Sequence, residues 1–595
     1  MSSIILNRYF KQMKEVSMIT IDQLSFSFPQ KDLFQNISFT IHSKEHCALI
    51  GSSGCGKSTL CQILLNREDF LYDGKIDFPI NSRIGYVSQF SQFDQNSTQT
   101  VYEYIAHHFV QLQQDIHHIC ELLETAKEMD QLLEDYQTKL ELFQLMDGDH
   151  FEINIDKKLH EADLYCHKDH LISTLSGGEY KLVQIIREML LLPQLMVMDE
   201  PDGFLDFENM NALRTLINHY QGALLVVTHN RYLLHQCFNK ILHLENEDLQ
   251  EFEGNYLEYS FTLLAQKLEK MELAQADNEE IERNEAVIQR LRAIATINAD
   301  ASRGRALHAR VSLMARLEER RVKEPFLDIV IPEIRLPEVE VDADQTFLEI
   351  TDYNKSFDTA LLEHISFHLK QNEKIALIGA NGTGKTTLLR DIYHTKQDSI
   401  QISPDARIGF LSQTAGETLD ENSTILNEFL SKELSTNRAV KEYLAKYGFT
   451  KDLSQKIQTL SGGEKNLLQL AKIGLSTANF LLLDEPTSHL DTKTQLAFES
   501  AVRNYKGAVF MVSHDFYTIA NCMDYCLIIE DHSIRKIRIR KFRQMIYQHH
   551  FNKDYLELEQ KRVQLEFQVH QAINSRNFDS ARLLLEQLEL IIDKL

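Results

Sequence analysis

Short apolar runs recur along two stretches of the chain, about residues 18–250 and 346–545. Runs such as CALI before Gly51 and IALI before Gly379 predict buried β-strands, because a strand covered on both faces shows no polar alternation. The segments EYKLVQIIREMLL and EKNLLQLAKIGL instead have apolar residues at helical spacing. The chain is therefore predicted to be an α/β protein with two similar domains.

Helical periodicity also predicts two insertions. About residues 98–148 contain two amphipathic runs without glycine or proline, which predict a helical hairpin. This hairpin is either an arm that contacts a partner or an elaboration of its own domain. About residues 251–330 predict a long helix that ends near Thr296, the loop INADASRGR and a return helix. The first insertion lies within the first α/β domain, whereas the second joins the two α/β domains.

Both ends of the chain lie outside the α/β domains. Residues 1–17 precede the first predicted strand, MITIDQLSFSF, and are an extension or a misplaced start. Residues 552–595 predict a C-terminal helical hairpin, which either contacts protein or nucleic acid or packs on its own domain. The predicted units are the extension (1–17), the first α/β domain (18–250), the helical linker (251–330, with a tip at about 290–310), the second α/β domain (346–545) and the C-terminal hairpin (552–595).

The two α/β domains share four motifs in the same order. GSSGCGKST begins at Gly51 and GANGTGKTT at Gly379, and LSGGE, a strand ending in Asp-Glu and a strand ending in His follow in both. The same difference of 285 residues separates three matched pairs: Ser176 and Ser461, Asp199 and Asp484, and His229 and His514. The motifs therefore define an internal duplication.

Each glycine-rich segment fits the pattern GxxxxGK[ST] between a strand and a helix, which is typical of a loop that holds nucleotide phosphates. Glycines let backbone N–H groups surround a phosphate, and the following helix directs its positive end at the anion. Lys57 and Lys385 are predicted to reach the β- and γ-phosphates, and Ser58 and Thr386 to bind Mg²⁺. The predicted ATP-binding residues are Gly51, Ser52, Gly54, Cys55, Gly56, Lys57, Ser58 and Thr59, and Gly379, Asn381, Gly382, Thr383, Gly384, Lys385, Thr386 and Thr387.

Carboxylates follow a buried-type strand in both domains. Asp199 and Asp484 end these strands and are predicted to bind Mg²⁺ at the carboxyl edge of each sheet. Glu200 and Glu485 come next and are the candidates to orient or deprotonate the attacking water, a role that contributes about 10²–10⁴-fold to a rate. An acidic loop without this role is the alternative.

Matched polar side chains follow two further strands. A lone histidine after a strand is usually structural. Because His229 and His514 stand at matched positions in both copies, they are predicted to hold the γ-phosphate. Gln89 and Gln413 follow RIGYVS and RIGFLS and are predicted to bind Mg²⁺ or the attacking water. Both pairs therefore complete a predicted ATP site in each domain.

Two aromatic residues lie shortly before the phosphate loops. Phe28 and Phe357 precede their loops by 23 and 22 residues. Each either stacks on adenine or belongs to the core of its domain.

The LSGGE segments each open a helix and predict a second anion cradle. Its residues are Ser176, Gly177 and Gly178, and Ser461, Gly462 and Gly463. A second cradle is redundant within one domain, so it is predicted to serve something else.

Composition narrows the class of protein. The 595 residues have a net charge of −25, which excludes a protein that is basic overall but not a local basic tip that binds nucleic acid. The eight cysteines form no CxxC pair, which argues against zinc and iron–sulfur sites and favours reduced thiols in the cytoplasm. No apolar run approaches the roughly 18 residues that a membrane span needs, so no membrane contact is predicted.

The ordered motifs resemble those of ATP-binding-cassette domains, in which the LSGGE of one domain covers the ATP held by the other. The resemblance covers about residues 18–250 and 346–545 and implies two composite sites that close on ATP and Mg²⁺. One site pairs Ser461 with the first phosphate loop, and the other pairs Ser176 with the second. It also implies a monomer whose two domains pair within one chain.

Twin cassettes without membrane spans, the helical arm, the helical linker and EPTSHLD together resemble the F subfamily of this family. The resemblance implies a cytoplasmic ATPase that enters the ribosome at the tRNA exit site and directs the linker tip toward the peptidyl-transferase centre. Its implied partners are large-subunit rRNA and P-site tRNA, and not DNA or a membrane. Translation regulation and ribosomal protection against antibiotics both remain open, and the long tip favours protection. The alternative is a non-ribosomal regulator or the ATPase of a separate membrane exporter.

The linker tip is the candidate contact with RNA, because several arginines there oppose only Asp300. The predicted contacts are Arg290, Arg292, Arg303, Arg305 and Arg310. A solvated helical turn is the alternative. A second basic stripe, IRKIRIRKFR, is either a contact surface or an exposed edge strand protected by its charge.

The two copies differ after the catalytic glutamate. The first copy reads EPDGFLD where the second reads EPTSHLD, so Asp202 and Phe204 replace Thr487 and His489. We expect the two sites to be unequal, although both are expected to bind ATP.

Overall fold

The computed structural model describes most of the chain: residues 17–29, 31–52, 54–79, 83–89, 97–123, 130–203, 205–297, 310–311, 314, 332–339, 345–357, 360–395, 398–430, 434–449, 453–550 and 555–595. Residue contacts divide the chain into two compact units. The first unit comprises Met1–Glu253 and Ile331–Ile546, and the second comprises Gly254–Val330 and Tyr547–Leu595. Both copies of the duplication, called the first and second repeat below, therefore lie in the first unit.

The first repeat consists of two sheets. Its strands are β1 (Ser17–Phe28), β2 (Lys31–His42), β3 (His46–Ile50), β4 (Asp73–Asp77), β5 (Ile84–Val87), β6 (Leu195–Asp199), β7 (Ala223–Val227), β8 (Lys240–Glu245) and β9 (Asp248–Glu253). An antiparallel sheet has the order β2-β1-β4, and a six-stranded sheet has the order β5-β6-β7-β3-β8-β9. The latter is parallel except for β9, which pairs antiparallel with β8.

The second repeat has the same topology. Its strands are β10 (Thr346–Ser356), β11 (Ala360–Lys370), β12 (Lys374–Ile378), β13 (Ile400–Ile402), β14 (Ile408–Leu411), β15 (Phe480–Asp484), β16 (Ala508–Val512), β17 (Tyr525–Glu530) and β18 (Ser533–Arg538). The sheet orders are β11-β10-β13 and β14-β15-β16-β12-β17-β18. Each strand thus occupies the place of its counterpart, which confirms the predicted pair of α/β domains.

The described residues also form helices in both units. They are α1 (Lys57–Leu65), α2 (Val101–Leu123), α3 (Asp130–Leu145), α4 (Phe151–Glu161), α5 (Gly177–Leu190), α6 (Phe207–His219), α7 (Arg231–Gln236), α8 (Tyr256–Ile297), α9 (Lys385–His394), α10 (Ile425–Phe429), α11 (Asn437–Ala445), α12 (Gly462–Gly474), α13 (Thr492–Asn504), α14 (Phe516–Cys522), α15 (Ile539–His550), α16 (Tyr555–Asn574) and α17 (Phe578–Ile592). Among the described residues, none of these helices is both long and apolar enough to cross a membrane.

The insertion of the first repeat consists of α2 and α3, which pack on each other. Lys139 of α3 forms an ion pair with Asp115 of α2 at 2.5 Å. The base of α2 joins the repeat through Phe109, whose ring stacks on that of Phe151 with centroids 5.1 Å apart. The hairpin is therefore anchored at one end by buried aromatic rings.

A hydrophobic core lies between the two sheets of each repeat and the helix after the phosphate loop. In the first repeat, Leu60 and Leu64 of α1 pack with Phe39 of β2 and Val197 of β6. In the second repeat, the corresponding cluster includes residues of β10, β12, β15 and α9. The core therefore fixes each phosphate loop between a buried strand and a buried helix.

The second unit contains the long helix α8 and the C-terminal helices α16 and α17. Leu264 and Leu268 of α8 pack with Val569 and Ile573 of α16, and α17 covers the same cluster. The C-terminal hairpin thus packs against the first turns of α8. Of the expected return helix, only residues 310–311 and 314 are described, and they are helical.

A buried arginine ties the base of this unit together. Arg562 pairs with Glu559 at 2.6 Å and also with Glu566. Ser260 of α8 donates a hydrogen bond of 2.6 Å to Glu566. Charge pairing therefore compensates the burial of the guanidinium.

Candidate functional site

The two phosphate loops have the same internal hydrogen bonds. Lys57 Nζ donates to the carbonyl oxygens of Gly51 and Ser52 at 2.8 and 3.0 Å. Lys385 Nζ donates to those of Gly379 and Ala380 at 2.8 and 2.7 Å. Both ammonium groups are thus held inside their loops, where a phosphate oxygen can replace the carbonyls.

Glycine is required where each loop meets its helix. Gly56 and Gly384 cap α1 and α9 with φ of 109° and 91°, a left-handed backbone that other residues rarely adopt. A Cβ at Gly51 would lie 2.0 Å from the carbonyl oxygen of Leu244. The predicted glycines therefore shape the cradle.

Asp199 and Asp484 end β6 and β15 and are buried. Thr386 Oγ1 lies 3.3 Å from Asp484 Oδ1, and Ser58 hydrogen bonds with Asp199. Burial raises the pKa of Asp199, and it raises the pKa of Asp484 to about 6. Among the described residues, one buried oxygen of each aspartate, Oδ1 of Asp199 and Oδ2 of Asp484, has no hydrogen-bond partner. A hard cation fits these carboxylates, because it would satisfy the free oxygen and favour the charged form.

Glu200 and Glu485 have a left-handed backbone, with φ of 45° and 47°. A non-glycine residue in this region costs about 1–3 kcal/mol and persists only where the surrounding structure requires it. The same backbone recurs at the matched pair Asn246 and Asp531, in the turn between the last two strands of each sheet. The left-handed conformation of the two glutamates is therefore a feature that both copies of the duplicated fold share.

The first of these carboxylates has partners from both repeats. Gln89 Nε2 donates to Glu200 Oε2 at 2.7 Å, and His489 Nδ1 of the second repeat lies 3.3 Å from the same oxygen. Burial raises the pKa of Glu200, but the hydrogen bond with His489 and the positive charges of His489 and Lys57 outweigh burial and hold it below its usual value. Glu200 is therefore an ionised carboxylate in a fixed position.

The second carboxylate has a different environment. Burial and the charge of Asp484 raise the pKa of Glu485 to about 8. The backbone N–H of His514 donates to Oε2 at 3.3 Å, and Nε2 of the same histidine lies 3.6 Å from Oε1, which is beyond hydrogen-bond distance. The residue that matches His489 is Phe204, which lies outside the described residues. The two carboxylates thus differ in charge and support.

His229 and His514 are neutral imidazoles. Burial and the charge of Lys57 lower the pKa of His229 to about 4. Burial and the charge of Lys385 lower that of His514 to about 3. A neutral ring can donate one N–H to a phosphate oxygen without adding charge.

A cavity of about 580 Å³ joins the two repeats. Lys385, Gln413, Glu485 and His514 line it together with Gly177, which belongs to the LSGGE segment of the first repeat. Asp206 Oδ2 accepts a hydrogen bond of 3.3 Å from the backbone N–H of Asn381 in the second phosphate loop. The structure therefore brings the residues of the second composite site together from both repeats.

In the first site, His489 provides the link between repeats. A Cβ added to Gly462 would lie 2.9 Å from His489 Cδ2, so this imidazole touches the second LSGGE segment. The same ring reaches Glu200. His489 therefore connects the second LSGGE to the first carboxylate.

Both LSGGE segments form capping boxes, which sequence reasoning missed. The side chains of Ser176 and Ser461 accept from the backbone N–H groups of Glu179 and Glu464, and these glutamates accept from the serine N–H groups. The signal was present, because SGGE fits the pattern [ST]-x-x-[EQ] of a helix start. The serines thus order the helix ends that were predicted to bind phosphate.

The aromatic residues Phe28 and Phe357 are exposed by 48% and 70%. The alternative that they belong to the core is therefore wrong. Adenine stacking remains a prediction for both rings.

A buried ion cluster across the two repeats was also missed. Arg231 pairs with Glu499 and, at 3.3 Å, with Asp515, and its guanidinium lies 4.8 Å from the ring centre of Tyr517. Arg231 follows His229 by two residues, and Asp515 follows His514 directly. The cluster therefore joins the segments that carry the two site histidines.

The predicted tip residues are only partly described. Arg290 is exposed on α8, and Arg310 donates a hydrogen bond of 2.6 Å to Asn284. Arg303 and Arg305 lie outside the described residues, as does the side chain of Arg292. Arg310 is thus held against α8 and offers only its remaining N–H groups to a partner.

Two phosphate loops in one unit, one of which faces the LSGGE segment of the other repeat, define a tandem nucleotide-binding ATPase. Two family models, both described as ABC transporter, match the chain. The first model matches twice, at residues 34–203 and 362–488, and the second matches residues 242–328. The chain belongs to the ATP-binding-cassette family and is an ATP-binding ATPase of its F type.

Individual relatives are distant but extend over most of the chain. Energy-dependent translational throttle protein EttA of Escherichia coli is 27% identical over 518 residues, which cover 84% of this chain and 90% of the relative. ABC transporter F family member 5 of Arabidopsis thaliana is 26% identical, with coverage of 86% and 75%. A solved structure of RNase-L Inhibitor matches with a TM-score of 0.52 and 17% identity over 89% of this chain and 93% of that one, which shows a common fold.

Proposed function

We propose that this protein is a cytoplasmic, ribosome-directed ATPase that uses ATP-driven pairing of its repeats to control the helical linker. The observation that carries the proposal is the composite cavity, in which one phosphate loop and the LSGGE of the other repeat share one space. The name of the relative EttA, a translational throttle protein, supports the ribosome as the place of action.

The proposed units follow the sequence boundaries. The first ATPase domain spans 18–250 with its arm at about 98–148, the linker 251–330, the second ATPase domain 346–545 and the C-terminal hairpin 552–595. Pairing within one chain needs no second copy, so we propose a monomer.

The proposed roles in ATP hydrolysis follow from the positions described above. Mg²⁺ would be held by Ser58, Gln89 and Asp199 in the first site and by Thr386, Gln413 and Asp484 in the second, where it would neutralise phosphate charge. Lys57 and Lys385 exchange loop carbonyls for phosphate oxygens.

Glu200 and Glu485 orient the attacking water, and the ionised Glu200 also accepts its proton; His229 and His514 donate an N–H toward the γ-phosphate. Ser176 and Ser461 order the helix ends that cover the opposite ATP.

The proposed contact with the ribosome is the linker. Arg290, Arg292, Arg303, Arg305 and Arg310 would neutralise phosphates of large-subunit rRNA and P-site tRNA near the peptidyl-transferase centre. The helix α8 has 42 residues and is therefore about 63 Å long, which suits a probe that reaches from a surface into a cavity.

A trapping experiment tests the proposal. The double variant Glu200→Gln/Glu485→Gln should keep ATP and pellet with purified 70S ribosomes or large subunits. Pelleting should require ATP and should be absent from the matched control Lys57→Ala/Lys385→Ala, which cannot hold the phosphates. Free trapped protein in the supernatant would contradict a ribosomal role and favour a non-ribosomal regulator or an exporter partner.

A growth assay separates the two ribosomal roles. Expression in a sensitive host should raise resistance to lincosamide, pleuromutilin or streptogramin A drugs if the protein protects ribosomes. Unchanged sensitivity across all three classes, together with ribosome trapping, would identify a translation factor.

A further inference from the structure

A group of cations lies on β18 and the first turn of α15. We call Lys536, Arg538, Arg540 and Lys541 the basic surface. Arg538, Arg540 and Lys541 are exposed, and no described carboxylate lies within ion-pair distance of them. Within the described part of the chain these three positive charges have no ion-pair partner, in contrast to the neighbouring Arg535, which pairs with Glu530 at 2.9 Å.

The matched strand of the first repeat carries the opposite charge. β9 has the sequence DLQEFE where β18 has SIRKIR, so that Glu251 and Glu253 stand at the positions of Lys536 and Arg538. Both strands end the same kind of six-stranded sheet. A charged edge strand resists pairing with other chains, but either sign of charge achieves this. Edge protection therefore does not explain why the second repeat is basic here.

Local folding does not explain these cations either. The first turn of α15 contains no acidic residue, although the positive end of a helix favours acidic rather than basic side chains. The whole chain has 87 acidic and 62 basic residues, so a group of exposed cations without acidic neighbours departs from the average composition. A bound polyanion would neutralise the positive charges of the basic surface, because its anionic groups would take the place of neighbouring carboxylates.

The surroundings of the basic surface favour a nucleic acid over a protein. Protein interfaces are organised around buried aromatic and apolar anchors. No large apolar side chain is exposed between Tyr525 and Met545, all of which the structure describes. Guanidinium groups bind phosphate in a bidentate manner, and phosphate contacts need no apolar anchor.

We propose that the basic surface of the second repeat binds the phosphate backbone of RNA, as a contact separate from the linker tip. The identity of this RNA as ribosomal rests on the function proposed above. Lys536, held with its Nζ 4.5 Å from the centre of the Tyr525 ring, marks one end of the surface, and Lys541 marks the other.

A salt titration tests the inference in the trapped protein, Glu200→Gln/Glu485→Gln. Adding Arg538→Gln/Arg540→Gln/Lys541→Gln should lower the slope of log affinity against log salt by about 2–3 on 70S ribosomes. The affinity near physiological salt should fall by about tenfold. The matched control Lys157→Gln/Lys441→Gln/Lys506→Gln removes three exposed lysines elsewhere and should leave the slope unchanged.

A second arm keeps the two proposals apart. The same titration with protein-free large-subunit rRNA measures RNA binding even if the trapped protein ignores 70S ribosomes. A failure of ribosome binding with a retained slope difference on rRNA would remove the ribosomal function and keep the basic surface. Equal slopes for the triple variant and its parent in both arms would overturn the inference.

Cross-linking identifies the class of partner. A photo-reactive amino acid at position 540 should form cross-links to RNA in trapped ribosome complexes. Cross-links to ribosomal proteins alone would also overturn the proposal.

Discussion

The two repeats have the same motifs and the same strand order, yet their catalytic carboxylates have different neighbours. Glu200 is held by Gln89 and by His489 of the opposite repeat, whereas Glu485 is buried with a pKa of about 8. The supporting imidazole belongs to the second repeat, and the matched position in the first repeat is Phe204. A substitution in one repeat therefore changes the site of the other.

The largest effect should come from removing the carboxylates one at a time. Glu200→Gln should lower the overall hydrolysis rate by about 10²–10⁴-fold, because the held and ionised carboxylate carries most turnover. Glu485→Gln should have a much smaller effect. Steady-state phosphate release measures the hydrolysis rate of both variants. Equal losses of rate would contradict the inferred difference between the two sites.

The buried ion cluster should give the next largest effect. Arg231→Ala leaves Glu499 and Asp515 without their cation and should cost about 3–5 kcal/mol of pairing between the repeats. In the duplication, Arg214 is the counterpart of Glu499, and Phe516 is the counterpart of Arg231. The matched positions therefore cannot form a second ion cluster of the same kind.

ATP-dependent pairing of the repeats can be followed by fluorescence transfer between labels on the two repeats. The double variant Arg231→Met/Glu499→Met should recover much of the loss. A double variant as weak as Arg231→Ala would show that charge is not the cause.

A smaller effect is expected at the bond between repeats. In a Glu485→Gln background, His489→Ala should slow single-turnover hydrolysis by about tenfold, the value of a lost charge-assisted hydrogen bond. His489→Asn keeps a donor and should restore part of the rate with an unchanged ATP affinity. An unchanged rate in His489→Ala would mean that the contact has no role in positioning Glu200.

The smallest effect concerns an acid beside the first phosphate loop. Glu245 accepts from the N–H and hydroxyl of Ser52 at 2.9 and 2.7 Å, and its counterpart Glu530 instead pairs with Arg535. Glu245→Gln removes a negative charge near the phosphates and should tighten ATP binding by about fivefold. Glu530→Gln is the matched control and should bind as the parent does in nucleotide titrations.

Local patterns predicted the duplicated fold well. The strands before Gly51 and Gly379, the helices after them and the carboxylates at the strand ends all follow from short segments of sequence. Such elements form from neighbouring residues, so their periodicity is visible without knowledge of distant contacts.

Contacts between repeats were not predictable in the same way. His489 reaches Glu200 across 289 residues, and Arg231 reaches Glu499 across 268. Neither pair has a motif of its own, because each depends on how the two repeats face one another. The available sign of a contact between repeats was an exchange of charge at one matched position, where the first repeat has Arg214 and the second has Glu499.

The inward position of Lys57 and Lys385 bears on how each loop binds an anion. Each ammonium group donates to two neutral carbonyl oxygens of its own loop, which leave its positive charge in place. A phosphate oxygen that replaces a carbonyl forms a charge-assisted hydrogen bond, which is roughly twice as strong as one to a neutral acceptor. The main chain thus pre-positions the cation, and nucleotide binding exchanges weak acceptors for strong ones.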